Sequence, residues 1–229
     1  VKDTVEIDLL TRAGRAASQA LISVLPTIGV GMSELQVARA VESAMAQFGA
    51  DDRAFDTVVA SGPNSAVPHH RPTPRSILAG DLLKIDFGAR VGEYLSDCTR
   101  TYVVGADPEP WQREIFAVVQ DAAAAGRAML RPGVGYAEVD SAAREPIEAA
   151  GFGEYFTHGL GHGVGLEIHE APLLAARSVG TLAAGVVVTV EPGIYLPGRG
   201  GVRIEDTCLV TEYGAVELTS VPREFRRLG

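Results

Sequence analysis

Apolar residues recur at helical spacing near the start of the chain, at Ile7, Leu10, Ala13, Ala17, Leu21 and Val24. Asp3-Thr-Val-Glu6 precedes them as a capping box, and Pro26 and Gly29 close the run. Ser33-Glu-Leu-Gln36 caps a second helix toward Gly49, with Leu35, Ala38, Val41 and Met45 on its apolar face. Strands are expected at Asp56–Ala60, Leu82–Phe87, Thr99–Val104, Val186–Val190 and Val202–Val210, and further helices over Pro108–Leu130 and Ala137–Ala150. Ser61–Arg75 reads as a Pro- and Gly-rich loop, and Gly151–Gly165 as a Gly-rich irregular stretch.

The pattern repeats. Gly29-Val-Gly-Met-Ser-Glu-Leu35 matches Gly133-Val-Gly-Tyr-Ala-Glu-Val139 at an offset of 104 residues. Ala79–Gly88 matches Ala184–Gly193 at an offset of 105, and Leu95–Thr99 resembles Arg203–Thr207 at 108. Each half reads helix–helix–strand–strand. Two α+β halves around a pseudo-two-fold axis, sharing one sheet and one site, are expected. The period is far too long for a solenoid.

Alternation then assigns faces. Leu83, Ile85 and Phe87 share one side of their strand and Asp86 takes the other; Val186, Val188 and Val190 oppose Glu191 in the same way. Arg203, Glu205 and Thr207 share a face of the last strand. With Asp97, four carboxylates at duplicated positions converge on one polar surface. Such a cluster repels itself unless cations intervene, and Lys84 and Arg203 are too few to balance it. Divalent metal ions are the simplest answer. All five histidines fall in two short segments, His69-His70 and His158–His169, the second interleaved with glycines. One imidazole with four carboxylates suits Mn, Co, Fe or Zn. With bridging carboxylates, it suits two ions about 4 Å apart. A mononuclear site of His158, His162 and His169 is the rival, and it leaves the duplicated carboxylates unexplained.

Composition narrows the field. The 229 residues carry a net charge of −9, which argues against nucleic acid as a partner. No apolar run approaches the roughly 20 residues of a membrane span. Val1–Thr4 shows no leader pattern, so a cytoplasmic protein is expected. Two cysteines, Cys98 and Cys208, are expected as buried free thiols.

Several stretches together resemble the pita-bread metallopeptidases, the group of methionine aminopeptidase, aminopeptidase P and prolidase. They are Val59–His69, Ile85-Asp-Phe-Gly88, Tyr94–Thr101, His158–Pro172, Val190–Tyr195 and Gly201–Thr207. The Ser-Asp-x-Thr-Arg-Thr string, the His-x-x-x-His spacing and Arg-Ile-Glu-Asp are similar to the Xaa-Pro branch, prolidase and aminopeptidase P. The resemblance implies an α+β pita-bread (creatinase/aminopeptidase) fold, two pseudo-symmetric halves around a curved, mainly antiparallel sheet.

It also implies ligand roles. Asp86 chelates one metal, Asp97 and Glu205 bridge both, and His162 and Glu191 complete the second. His69 matches a substrate-contacting histidine. His158 and His169 match histidines behind and beside the substrate, and Arg203 an Arg near bridging Glu205 and the substrate carboxylate. His70 carries no implied role. The expected reaction is hydrolysis of an Xaa-Pro bond in a dipeptide, with Glu191 as general base, His169 at the oxyanion, and His69 or His158 assisting the proline nitrogen. An aminopeptidase P acting on longer peptides is the alternative. A metal-free binding module or a creatinase-like enzyme fits less well, because all five ligand positions are filled. A homodimer is implied by resemblance alone. The branch usually carries an N-terminal domain, so residues 1–229 are expected to be a single catalytic domain without it.

Overall fold

The computed structural model describes all residues from Val1 to Gly229. Four helices form: α1 (Thr4–Val24), α2 (Glu34–Gln47), α3 (Pro110–Ala128) and α4 (Tyr136–Ala149). The Asp3 carboxylate accepts from the backbone of Val5 and Glu6, and Glu6 reaches back to the Asp3 N–H, so the first capping box forms as read. Ser33 and Gln36 cap α2 in the same reciprocal way.

The strands are β1 (Asp52–Arg53), β2 (Val58–Ser61), β3 (Leu82–Phe87), β4 (Ala89–Val91), β5 (Tyr94–Leu95), β6 (Cys98–Val104), β7 (Gly161–Gly163), β8 (Glu170–Leu174), β9 (Val187–Val190), β10 (Gly193–Leu196), β11 (Gly200–Arg203), β12 (Glu205–Thr211), β13 (Gly214–Glu217) and β14 (Arg227–Leu228). The main sheet runs β2-β3-β6-β12-β9-β7-β8, with β13 on β12 and β14 on β6. Every pairing in it is antiparallel except β14 with β6.

The duplication is visible bond by bond, with the helix entry two residues off the expected register. Gly31 N–H donates to Ile77 O and Ile77 N–H to Met32 O; in the other half Gly133 N–H donates to Leu182 O and Leu182 N–H to Val134 O, all at 2.8–2.9 Å, so Gly31 rather than Gly29 is the counterpart of Gly133. Each helix pair covers its own core. One gathers Leu83, Ile85 and Phe87 beneath α1 and α2; the other gathers Val188 and Val190 beneath α3 and α4. The apolar side of each strand is therefore buried under helices, and the polar side is left for the site.

The structure departs from the expected elements in two places that bear on the site. Gly151–Gly165, expected as irregular, ends in β7, a main-sheet strand that carries His162. The expected strand Val202–Val210 is two strands, with Ile204 between them. Its N–H turns to Pro192 O, and β11 pairs with β10 rather than joining the main sheet. The side chain of Ile204 still reaches the second core. The short ribbon β1-β4-β5 was not expected either; it has only two- and three-residue strands, too short for a periodic signal.

Candidate active site

The register lines up the carboxylates. Asp86 on β3 sits opposite Thr99 on β6, and Thr99 opposite Glu205 on β12. Asp206 pairs with Val190, so the same antiparallel register carried one residue further sets Glu205 beside Glu191. Asp97 lies two residues before Thr99 and shares its face. Its backbone is held by Thr207, whose hydroxyl accepts from Asp97 N–H and donates to Asp97 O at 2.8 Å. His162 enters from β7, its N–H bonded to Thr189 Oγ1. The glycines beside it permit this approach: a Cβ at Gly161 would sit 2.1 Å from Thr189 O, and one at Gly163 would sit 2.4 Å from Ala171 O.

All five expected ligands thus meet. Ligand atoms of Asp97, His162 and Glu205 lie within 4.8 Å of one another. His162 Nε2 is 3.3 Å from Glu191 Oε1 and 3.6 Å from Asp97 Oδ2. Its Nδ1 faces Gly163 O at 3.0 Å, which turns Nε2 toward the carboxylates. Asp86 forms an ion pair with Arg203.

The electrostatics fit a cation. Burial pushes the Asp97 carboxyl well above the usual range, and the charge of Glu205 pushes it further. Glu205 is raised for the same reason, by burial and then by Glu191 and Asp86. Burial raises Asp86 too, although Arg203 opposes it. Glu191 differs: burial works against its charge, but the hydrogen bond with His162 and the charge of Arg203 hold it at about 2. One oxygen each of Asp86, Asp97 and Glu205 is buried with no hydrogen-bond partner. Three orphaned carboxylate oxygens facing one space are what a divalent ion satisfies, so the residues fit the implied metal.

The remaining candidates divide. His69 and His169 line two adjoining cavities, of about 250 and 290 Å³, that open over the ligand cluster. His169 meets His162 edge-on, ring centroids 4.4 Å apart, and burial lowers its pKa. His158 lines the second cavity, but both its ring nitrogens are engaged, with Gly159 O and the Tyr195 hydroxyl at 2.8 Å each. Arg203 lines neither cavity. It is buried behind Asp86, and its donors go to Asp86, Thr99, Tyr195 and Pro68 O. Tyr195 therefore links Arg203 to His158. Tyr195 and Thr99 lie inside the quoted motifs, but neutral hydroxyls carry no charge-pattern signal in a sequence.

The sequence profile of metallopeptidase family M24 matches residues 8–212. The chain belongs to that family. This M24 chain is 46% identical over 225 residues to the Xaa-Pro dipeptidase of Pyrococcus furiosus, covering 98% of this chain and 64% of that protein. Its fold superimposes on a solved Xaa-Pro dipeptidase from Bacillus anthracis with TM-score 0.97 and 44% identity, covering 100% of this chain and 64% of the other. An X-Pro aminopeptidase from Thermotoga maritima superimposes with TM-score 0.96 at 39% identity, covering 100% and 64%. The chain thus spans about two thirds of the length of these relatives, 64% in each. The fold of the M24 chain is the pita-bread α+β fold that the sequence motifs implied. No helix is long and apolar enough to cross a membrane.

Proposed function

We propose that this M24 chain is the catalytic part of an Xaa-Pro dipeptidase, holding two divalent metal ions on Asp86, Asp97, His162, Glu191 and Glu205. The observation that carries the reading is that these five side chains line one cavity, with three unpartnered buried carboxylate oxygens among them. The similarity to Xaa-Pro dipeptidases supports an Xaa-Pro substrate.

Bound metal ions supply Lewis acidity toward a water and a peptide carbonyl oxygen. The chain's own residues do the rest. Glu191 is kept ionised by His162 and Arg203, and its carboxylate beside the ligand cluster is the candidate to take the proton of the attacking water. His169 is exposed to the cavity and kept neutral by burial, so an Nε2–H or Nδ1–H is available to the carbonyl oxygen as charge develops there. His69 faces the same space and is the candidate to deliver a proton to the departing proline nitrogen. His158 orients rather than transfers, since Gly159 O takes its Nδ1–H and the Tyr195 hydroxyl occupies Nε2. Arg203 acts from behind, fixing Asp86 and Tyr195 rather than gripping substrate.

An X-Pro aminopeptidase is the second reading, favoured by the superposition on the Thermotoga protein. Comparing Ala-Pro with Ala-Pro-Ala separates the two. Two metals per chain with chelator-sensitive cleavage of Ala-Pro support the dipeptidase; cleavage of the tripeptide alone supports the aminopeptidase; failure to take up Mn or Co overturns both. We extend the proposal to Mn as resident metal, a homodimer and a cytoplasmic location, tested by metal analysis, light scattering and cell fractionation.

A further inference from the structure

Glu34 is the second residue of a capping box and, by its sequence, an ordinary helix-start acid. Its side chain is fully buried. One carboxylate oxygen accepts from Ser61 N–H at 2.7 Å, Ser61 Oγ at 2.8 Å and Asn64 Nδ2 at 3.0 Å. The other accepts from His70 Nε2 at 2.9 Å, Thr73 N–H at 3.0 Å and Thr73 Oγ1 at 2.7 Å. Six donors meet one carboxylate, and they come from both ends of the Ser61–Arg75 loop. The α2 backbone adds two more ties, Glu34 N–H to Arg75 O and Leu35 N–H to Thr73 O.

The middle of the loop is held from beneath. Lys84 Nζ donates to Ser65 O, Val67 O and Pro68 O, and Arg203 Nη1 donates to Pro68 O at 3.1 Å. Pro68 and His70 are therefore both fixed, and the residue between them is His69, which lines both cavities over the ligand cluster. Nothing else bonds the His69 ring. Its place over the site is set by its neighbours.

The structure assigns to Glu34 the role of positioning residue for His69: its carboxylate gathers both ends of the loop so that the loop is a fixed wall of the substrate cavity rather than a movable flap. The assignment rests on the peptidase reading for the meaning of His69. Glu34 touches none of the five ligand residues, so its effect falls on substrate and spares metal.

Glu34→Gln tests this. A carboxamide presents one donor end, which must face either the Ser61 and Asn64 donors or the His70 and Thr73 donors. Expected, in Mn-loaded protein: kcat/KM on Ala-Pro falls at least tenfold, mainly through KM, with Mn affinity by calorimetry unchanged. In a His69→Ala background the same change has no further effect, because Glu34 acts through His69. Wild-type kcat/KM in Glu34→Gln, or a loss that multiplies with that of His69→Ala, overturns the assignment. Hydrogen–deuterium exchange over residues 61–75 reads the anchor without catalysis. A tenfold or greater rise confined to that loop is expected, and unchanged exchange overturns the assignment even where activity falls. Wild-type protein that binds Mn but cleaves no Xaa-Pro peptide would count against the function proposed above, and the exchange measurement would still decide whether Glu34 fixes the loop. Should Glu34→Gln not fold, Thr73→Val, which removes one hydroxyl arm, carries the same measurements.

Discussion

Neutralising Asp97 has opposite consequences with and without metal. Asp97 Oδ1 is buried and unpartnered, and the carboxyl is raised well above its usual range by burial and by Glu205. In chelated protein this group therefore opposes folding. Asn has nearly the same shape, carries no charge, and its amide can donate to a neighbouring carboxylate. An unsatisfied buried polar group costs about 1–3 kcal/mol, and more when charged, so chelated Asp97→Asn is expected to be more stable than chelated wild type by about that amount. With metal the order inverts. An ion bound at a hundred times its Kd stabilises the native state by about 2.7 kcal/mol, and the variant forfeits most of this. The pH dependence follows the same logic. A carboxyl with a higher pKa folded than unfolded takes up a proton on folding. Chelated wild type therefore gains stability as pH falls from neutrality toward about 4, the unfolded value, and Asp97→Asn gains less. Urea unfolding of both proteins, with EDTA and with Mn, across pH 4.5–7.5 is the assay. Equal destabilisation of the variant in both conditions would refute the argument, because it would mean that Asp97 supports the fold rather than the ion.

Three further outcomes are expected. Asp206 is fully buried and receives Arg100 Nη2 at 2.7 Å, Arg223 Nε at 2.6 Å and Thr219 Oγ1 at 3.0 Å. Asp206→Ala strands the buried Arg100 guanidinium and should cost about 3–5 kcal/mol by denaturant unfolding; a loss below 1 kcal/mol contradicts it. Gly161→Ala puts a Cβ about 2.1 Å from Thr189 O, next to His162, so stability should fall by about 1–3 kcal/mol and Mn affinity should fall with it. Burial opposes the Glu34 charge, but Asn64, Thr73, His70 and Ser61 hold its carboxyl down at about 2. Its contribution, about 3 kcal/mol, is complete above pH 4.5 and disappears as pH falls toward 2, so Glu34→Gln should flatten the acid limb of stability against pH.

Much of the site was legible because β-structure makes it so. Alternation in Leu82–Phe87 and Val187–Val190 fixed which way Asp86 and Glu191 point, and the duplication said that the two strands play equivalent parts. The supports were not legible. Glu34 and His70 are 36 residues apart and meet only through the loop path. Arg100 and Asp206 point away from the site, on the opposite side of the strands from Thr99 and Glu205, and the Nη1 of Arg100 holds the carbonyls of Thr99 and Glu205. Each pair joins a charged side chain to a partner on a distant segment, and a single sequence gives such partnerships no periodicity. The break at Ile204 was hidden for a different reason, since the alternating pattern runs through it unchanged.

The duplicated halves also bear on how the protein matures. Thr99 and Glu205 are neighbours across the β6–β12 seam, yet 106 residues separate them along the chain. On the proposed ligand assignment, the first half offers Asp86 and Asp97, and the second offers His162, Glu191 and Glu205. A nascent chain that has completed only its first half has two of the five groups, and of the two bridging carboxylates it has Asp97 without Glu205. Metal capture then has to wait for the last long-range strand pairing, and the ion becomes a late lock on a finished sheet rather than a nucleus around which the sheet assembles.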